Sequence, residues 1–274
     1  MQNFPSSLVL VGAGKMGAAM LEGWLAAGLS PQAVTVLDPV PSDGVRDLAQ
    51  RYGFALYDSD VHGKAKTAEV LVLAIKPQML DEAAASVAPW VGAQTLVVSV
   101  LAGKTVGNLT ARLPQTARVV RAMPNLPASV MRGMTGCYAA TAVTDAQKAM
   151  AQHLLEAVGA VEWVGTEALI DSVTAVSGSG PAYVFLLVEC LAQAAIAEGL
   201  PEAVAVKLAR TTIEGAGELL RQSDLTPATL RQNVTSPGGT TAAALEVLMA
   251  PEGLAPLMQR AVRAARLRAE ALSG

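Results

Sequence analysis

The feature that most constrains this chain is a short apolar run, Leu8-Val9-Leu10-Val11, that breaks into Gly12-Ala13-Gly14-Lys15-Met16-Gly17. The run reads as a strand, and the residues after Gly17 carry helical periodicity, so the glycines must turn the chain sharply between the two. Gly12 permits the tight turn, Gly14 lets a ligand approach the main chain, and Gly17 allows the helix to pack closely on the strand. The helix N-terminus then presents unpaired N–H groups and a partial positive charge to a pyrophosphate. A plain strand-to-helix turn would use the same residues, and the surrounding pattern decides between the two readings.

That pattern is a βα alternation. Leu8 to Val11, Val34 to Leu37, Val70 to Ile75, Leu96 to Val100 and Val119 to Arg121 read as strands, with helices beginning near Lys15, Ser42, Lys76 and Thr105. Their near-continuous apolar character suits strands covered on both faces by helices. Beyond about Gly165 the chain turns to Ala/Leu/Glu-rich segments at helical spacing, broken at Gly199-Leu200-Pro201, Leu225-Thr226-Pro227 and Ser236-Pro237-Gly238-Gly239. The expected fold is α/β, a Rossmann-type doubly wound sheet over residues 1–165 followed by an all-α domain over 166–274. Helices as apolar as Ala182 to Glu198 need cover on most sides, which points to an obligate homodimer through this half.

Composition narrows the partners. The 274 residues are 52% hydrophobic with a formal charge of -3 and no run of Lys/Arg, so neither a nucleic-acid nor an anionic-membrane surface is expected. The N-terminal residues lack a positive flank, and no apolar run approaches the ~20 residues needed to span a bilayer. A soluble cytoplasmic protein is the expectation. Cys137 and Cys190 stand apart from each other and from His, so buried, reduced thiols and no metal site are expected.

Further candidates sit where strands end. Asp38 closes the second strand, where an acid accepts the adenosine ribose hydroxyls and disfavours a 2′-phosphate. Asp38-Pro39-Val40-Pro41-Ser42-Asp43 is equally a loop and helix cap, and Ser42 or Arg46 can meet a 2′-phosphate. Ala74, Lys76 and Pro77, then Ala102, then Asn125 occupy the next strand ends, with a surface lysine and a simple turn as the bland readings of Lys76 and Asn125. Ser177-Gly178-Ser179-Gly180-Pro181 reads as the cap of a long helix. Thr235-Ser236-Pro237-Gly238-Gly239-Thr240-Thr241 offers hydroxyls and backbone N–H groups at the mouth of a helix, a setting for a carboxylate that needs no cation.

The histidines, His62 and His153, precede the helical half, whose only lysine is Lys207. A hydroxy-acid dehydrogenase requires a general base, and Lys207 in an amphipathic helix is the only candidate for one. Hydride delivery to a C=N carbon is less demanding, because an imine can arrive already protonated. A non-catalytic dinucleotide sensor would leave the anion loop without a purpose.

The segments GAGKMG, AIKPQ, SVLAG, RAMPNLP, SGSGPAY and NVTSPGGTT, in this order, closely resemble pyrroline-5-carboxylate reductase across nearly the whole chain. The resemblance implies reduction of 1-pyrroline-5-carboxylate to L-proline by NADPH or NADH. It also implies an interwoven helical dimerisation domain, often within a decamer of five dimers, and a site that draws helical residues from two subunits. Carried over by position, Gly12, Ala13, Gly14, Lys15, Met16 and Gly17 hold the pyrophosphate, and Ala74, Lys76, Pro77 and Ala102 border the ribose and nicotinamide with Asn125 nearby. Ser236, Gly239, Thr240 and Thr241 bind the substrate, with Thr241 hydrogen-bonding the ring nitrogen. Asp224 falls where the family usually carries glutamate, Leu126 where it has threonine, and Leu101 where it has a smaller residue.

Overall fold

A computed structural model describes residues 4–58 and 65–273; His62 lies outside them. The chain divides into two compact units, Met1–Ser179 with Ala265–Gly274, and Gly180–Ala264.

The first unit is built on an eight-stranded sheet: β1 Leu8–Val11, β2 Val34–Leu37, β3 Ala55–Tyr57, β4 Val70–Leu73, β5 Leu96–Ser99, β6 Val119–Met123, β7 Gly133–Ala139 and β8 Gly159–Trp163. Their spatial order is β3-β2-β1-β4-β5-β6-β7-β8, and every pairing is parallel except β6 with β7. Side chains alternate across the pleat and so divide between two cores. Leu8, Leu10, Val70, Val72, Leu96 and Val98 point into a core with Met20, Leu21 and Trp24 of helix α1 (Lys15–Ala26) and Leu154 and Leu155 of helix α5 (Asp145–Glu156). Val9, Val11, Leu71, Leu73 and Val97 join Leu80 and Val87 of α3 (Leu80–Val87) and Leu109 of α4 (Val106–Arg112). Burial on both faces is why β1, β4 and β5 read as unbroken apolar runs. Trp24 is fully buried, and its indole N–H donates to the Leu154 carbonyl at 2.7 Å, pinning α1 to α5.

The expected strands are present with small shifts: β4 and β5 end before Ala74 and Val100, and β6 runs on to Met123. Ser42 caps α2 (Asp43–Tyr52), and Thr105 caps α4 through a capping box with Asn108. After Lys76 a 3-10 turn, Pro77–Met79, precedes α3. The sequence reading left β3, β7, β8 and α5 unassigned. β7, Gly-Met-Thr-Gly-Cys-Tyr-Ala, has weak strand propensity and contains Gly136 because a Cβ there would lie 2.4 Å from a Val173 methyl. The signal for α5 is present in the chain as the Thr144 to Gln147 capping box.

The second unit is all helical: α7 Gly180–Ala197, α8 Glu202–Gln222, α9 Pro227–Asn233, α10 Thr240–Leu248 and the first part of α11, Leu254–Ser273. α7 and α8 pack on one another across Gly199-Leu200-Pro201, with Gly199 at φ 92°. Ala192, Ala205 and Ala209 are buried, whereas Phe185, Leu186, Leu208, Leu219 and Val247 are exposed.

Three expectations are corrected. Ser177 to Pro181 does not cap a helix start, because the chain is already helical from α6 (Leu169–Val173) through a π-helical turn, Thr174–Gly178, into α7. That continuity makes Leu169–Ala197 one helix long and apolar enough, by length and composition, to cross a membrane, although its Ser and Gly residues interrupt the apolar run. Only 6% of its most apolar window is buried within this chain. Cys137 is buried as expected, but Cys190 is exposed because it lies on that same uncovered helix.

Candidate active site

The sheet order reverses between β1 and β4, the point at which a doubly wound sheet opens a crevice at the C-terminal ends of its strands. Open α/β sheets bind their ligands in such a crevice. Residues read as cofactor-binding converge on this edge: Gly12 to Gly17 follow β1, Asp38 follows β2, Ala74 to Pro77 follow β4, Ala102 follows β5 and Asn125 follows β6.

The glycine loop fits a dinucleotide. Gly12 has φ 88°, and a Cβ there would lie 2.9 Å from the Ala74 carbonyl oxygen; at Gly17 it would lie 2.1 Å from that of Gly12. A Cβ at Gly14 would meet nothing within 4 Å and would stand in open space. Gly14 is the N-cap of α1 and supplies no side-chain acceptor, which leaves the N–H groups of Lys15, Met16 and Gly17 without helical acceptors. Gly12, Ala13 and Gly17 are buried and Gly14 and Lys15 exposed, so the loop has a packed base and an open lip.

Asp38 does not stand free at the ribose position. Its carboxylate accepts from the Ala13 N–H at 2.6 Å and from the Val40 N–H at 2.9 Å. Ser42 accepts from Val45 N–H at 3.4 Å, and Arg46 pairs with Asp58 at 3.3 Å. Lys76 is exposed at the N-cap of its 3-10 turn, Pro77 opens that turn, and Ala102 is exposed beside Gly103. The Asn125 carboxamide is already bonded, accepting from Met134 N–H at 2.9 Å and donating to the Ser177 carbonyl at 3.2 Å.

One supporting pair carries no sequence signal. Arg121 in β6 is 5% exposed and pairs with Glu167 at 2.8 Å, and the same Glu167 oxygen accepts from the Val106 N–H at 2.7 Å. Glu167 thus anchors the start of α4, next to the loop that carries Ala102. The contacts join residues 46 and 61 positions apart, beyond any local pattern. An apolar groove of about 380 Å³ beside Met134, Val164 and Val173 contains none of the expected site residues.

In the helical unit, Gly239 N–H donates to the Ser236 carbonyl at 3.0 Å, with Pro237 and Gly238 (φ 70°) between them. Proline followed by a positive-φ glycine matches a type II turn. A Cβ on Gly239 would lie 2.5 Å from the Ser236 hydroxyl, which would have to rotate away. The turn delivers Thr240 and Thr241 as the first residues of α10, whose N-cap Gly239 has no side chain with which to cap it. The N–H groups of Thr240, Thr241 and Ala242 therefore lack helical acceptors, as a bound carboxylate requires. Thr240 is exposed and Thr241 half-buried. Asp224 is exposed just after α8, ahead of Thr226, which caps α9.

A doubly wound sheet with a glycine turn at its switch point, followed by an all-helical unit, is the architecture of a dinucleotide-dependent oxidoreductase. Residues 167–272 match the family model for pyrroline-5-carboxylate reductase dimerisation, and residues 7–103 match that described as NADP oxidoreductase, coenzyme F420-dependent. The pyrroline-5-carboxylate reductase of Pseudomonas aeruginosa is 38% identical over 97% of this chain and 96% of its own. That of Synechocystis is 41% identical, with 97% of both chains covered. The solved Coxiella burnetii pyrroline-5-carboxylate reductase has a TM-score of 0.89 at 35% identity, covering 98% of this chain and 99% of that one. The Plasmodium falciparum pyrroline carboxylate reductase, solved with NADP bound, has a TM-score of 0.79 at 26% identity over the whole of both chains.

The chain belongs to the pyrroline-5-carboxylate reductase family. It is an oxidoreductase of the final step of proline biosynthesis, reducing 1-pyrroline-5-carboxylate to L-proline with NADPH or NADH, and it forms oligomers.

Proposed function

We propose that this reaction is carried out by the residues read at the two sites. Gly12 to Gly17 hold the pyrophosphate through the α1 N-terminus, and Ala74, Lys76, Pro77 and Ala102 border the ribose and nicotinamide. Ser236, Gly239, Thr240 and the open N–H groups of α10 take the substrate carboxylate, and the Thr241 hydroxyl bonds to the ring nitrogen. Asp224 provides a negative charge near that nitrogen. When bound, the reduced nicotinamide supplies the hydride for the C=N carbon.

The observation that carries this assignment is the uncapped α10 behind the Ser236–Gly239 turn. It offers hydroxyls and N–H donors, with no lysine or histidine among Thr235 to Thr241. Such a set holds and orients a carboxylate-bearing cyclic imine that arrives protonated, and it provides no base for removing a hydroxyl proton.

The remaining readings rest on the composition of the chain and its family resemblance. Residues 1–165 form the dinucleotide-binding domain and 166–274 the substrate and dimerisation domain. The protein is a cytoplasmic homodimer, assembling as five dimers, and binds neither nucleic acid nor membrane. The apolar residues exposed on α7 and α8 suit a protein partner surface. The test is the loss of the reduced-nicotinamide absorbance on adding 1-pyrroline-5-carboxylate, with NADPH and NADH in parallel. Oxidation by either establishes the reaction, and none from folded, dimeric protein rejects it. Light scattering after size exclusion counts the subunits, and a monomer would reject the dimer.

A further inference from the structure

Asp38 occupies the position at which an acidic side chain ordinarily reads the adenosine ribose. Here each of its oxygens accepts a main-chain N–H, Oδ2 from Ala13 and Oδ1 from Val40. Its own N–H is fixed to the Tyr57 carbonyl at 3.0 Å. Beside it, Gly12 N–H donates to the Leu37 carbonyl at 2.8 Å. The β1/β2 ladder, in register at Val11 and Leu37, is thus prolonged past both strand ends. Its last rung is the Asp38 carboxylate, and it holds the base of the glycine loop.

Two consequences follow. The Ala13 N–H faces the carboxylate, so anion recognition falls to the N–H groups from Gly14 onward. Ala13 is only 3% exposed, so without Asp38 its N–H would be buried and unpaired.

We propose that Asp38 is a positioning residue that holds the glycine loop open for the pyrophosphate, acting through the main chain on both coenzymes alike. The proposal rests on the cofactor assignment above and deepens it. Both coenzymes carry the same pyrophosphate, so loss of the strut weakens both alike. A ribose reader would instead discriminate between a 2′-hydroxyl and a 2′-phosphate.

The test is titration calorimetry of NADPH and of NADH, without substrate, into the wild-type oligomer and into Asp38→Ala and Asp38→Asn. Binding by the wild type belongs to the cofactor assignment, and the change on substitution belongs to this proposal. Asp38→Ala is expected to raise both Kd values by about tenfold, the scale of one charge-assisted hydrogen bond, with their ratio unchanged within about twofold. Asp38→Asn keeps one acceptor oxygen and is expected to lose about threefold for each coenzyme on the same scale. It carries the test alone if the alanine variant does not fold. A tenfold shift of the ratio towards NADPH would overturn the proposal. So would a lowered Tm with both Kd values unchanged, the mark of a role in stability only.

Discussion

The carboxamide of Asn125 donates to both the carbonyl and the hydroxyl of Ser177, at 3.2 and 3.3 Å. Ser177 lies in the π-helical turn, and four residues on stands Pro181, which has no N–H to return to that carbonyl. Asn125 supplies the missing donor, while its own oxygen accepts from Met134 N–H. The Asn read as a cofactor contact is therefore also what seats the irregular turn. π-Turns inside α-helices recur at functional sites.

Asn125→Asp is expected to destabilise the protein nearly as much as Asn125→Ala, because a carboxylate accepts from Met134 but donates nothing to Ser177. The loss should be about 1 kcal/mol, the low end of the cost of leaving polar groups unpaired, because the groups are only partly buried. Urea unfolding of the two variants checks this, and a fully stable Asn125→Asp would refute the clamp.

Two glycines of the cradle should fail in opposite ways. Gly17→Ala forces a Cβ onto the Gly12 carbonyl, 2.1 Å away, and should lower Tm together with coenzyme affinity. Gly14→Ala meets no protein atom, so it should leave Tm unchanged and weaken NAD(P)H binding through the lip of the loop alone. Thermal melts beside coenzyme titrations separate the two, and a Gly14→Ala variant with wild-type affinity would place the pyrophosphate elsewhere.

Thr241→Ala is expected to lower kcat by about 10- to 100-fold, the range of a hydrogen bond to a charged group, with coenzyme Kd unchanged. Thr240→Ala should act mainly on KM for the imine acid. Steady-state kinetics with parallel coenzyme titrations test both, and equal loss of turnover and coenzyme binding in Thr241→Ala would remove its assigned role.

Cys137 gives a pH signature. Burial pushes its thiol up from 9.0 to about 12, against a weak opposing pull from Lys148. The folded protein keeps this proton where the unfolded chain loses it, so stability is intact below about pH 9 and falls as the pH rises towards about 12. In Cys137→Ala this part of the alkaline loss should vanish, giving a shallower decline of unfolding free energy over that window. Parallel slopes in variant and wild type would show that the thiol titrates normally.

What the sequence by itself determined is local. A strand buried on both faces must be a continuous apolar run, a tight βα turn must place glycine at Gly12 and Gly17, and Pro237-Gly238 must turn the chain into α10. These constraints act between near neighbours, and they made the doubly wound class, the glycine turn after β1 and the helical half legible. Only the tertiary structure decided which side chains are already engaged. Asp38 and Ala13 are 25 residues apart, Asn125 and Ser177 52, and Arg121 and Glu167 46. No periodicity links such positions, because each bond forms only once the sheet has brought its strand ends to one edge. The same is true of β7 and of the π-turn at Ser177. Weak or misleading local propensity was overridden there by partners that the chain meets only when folded.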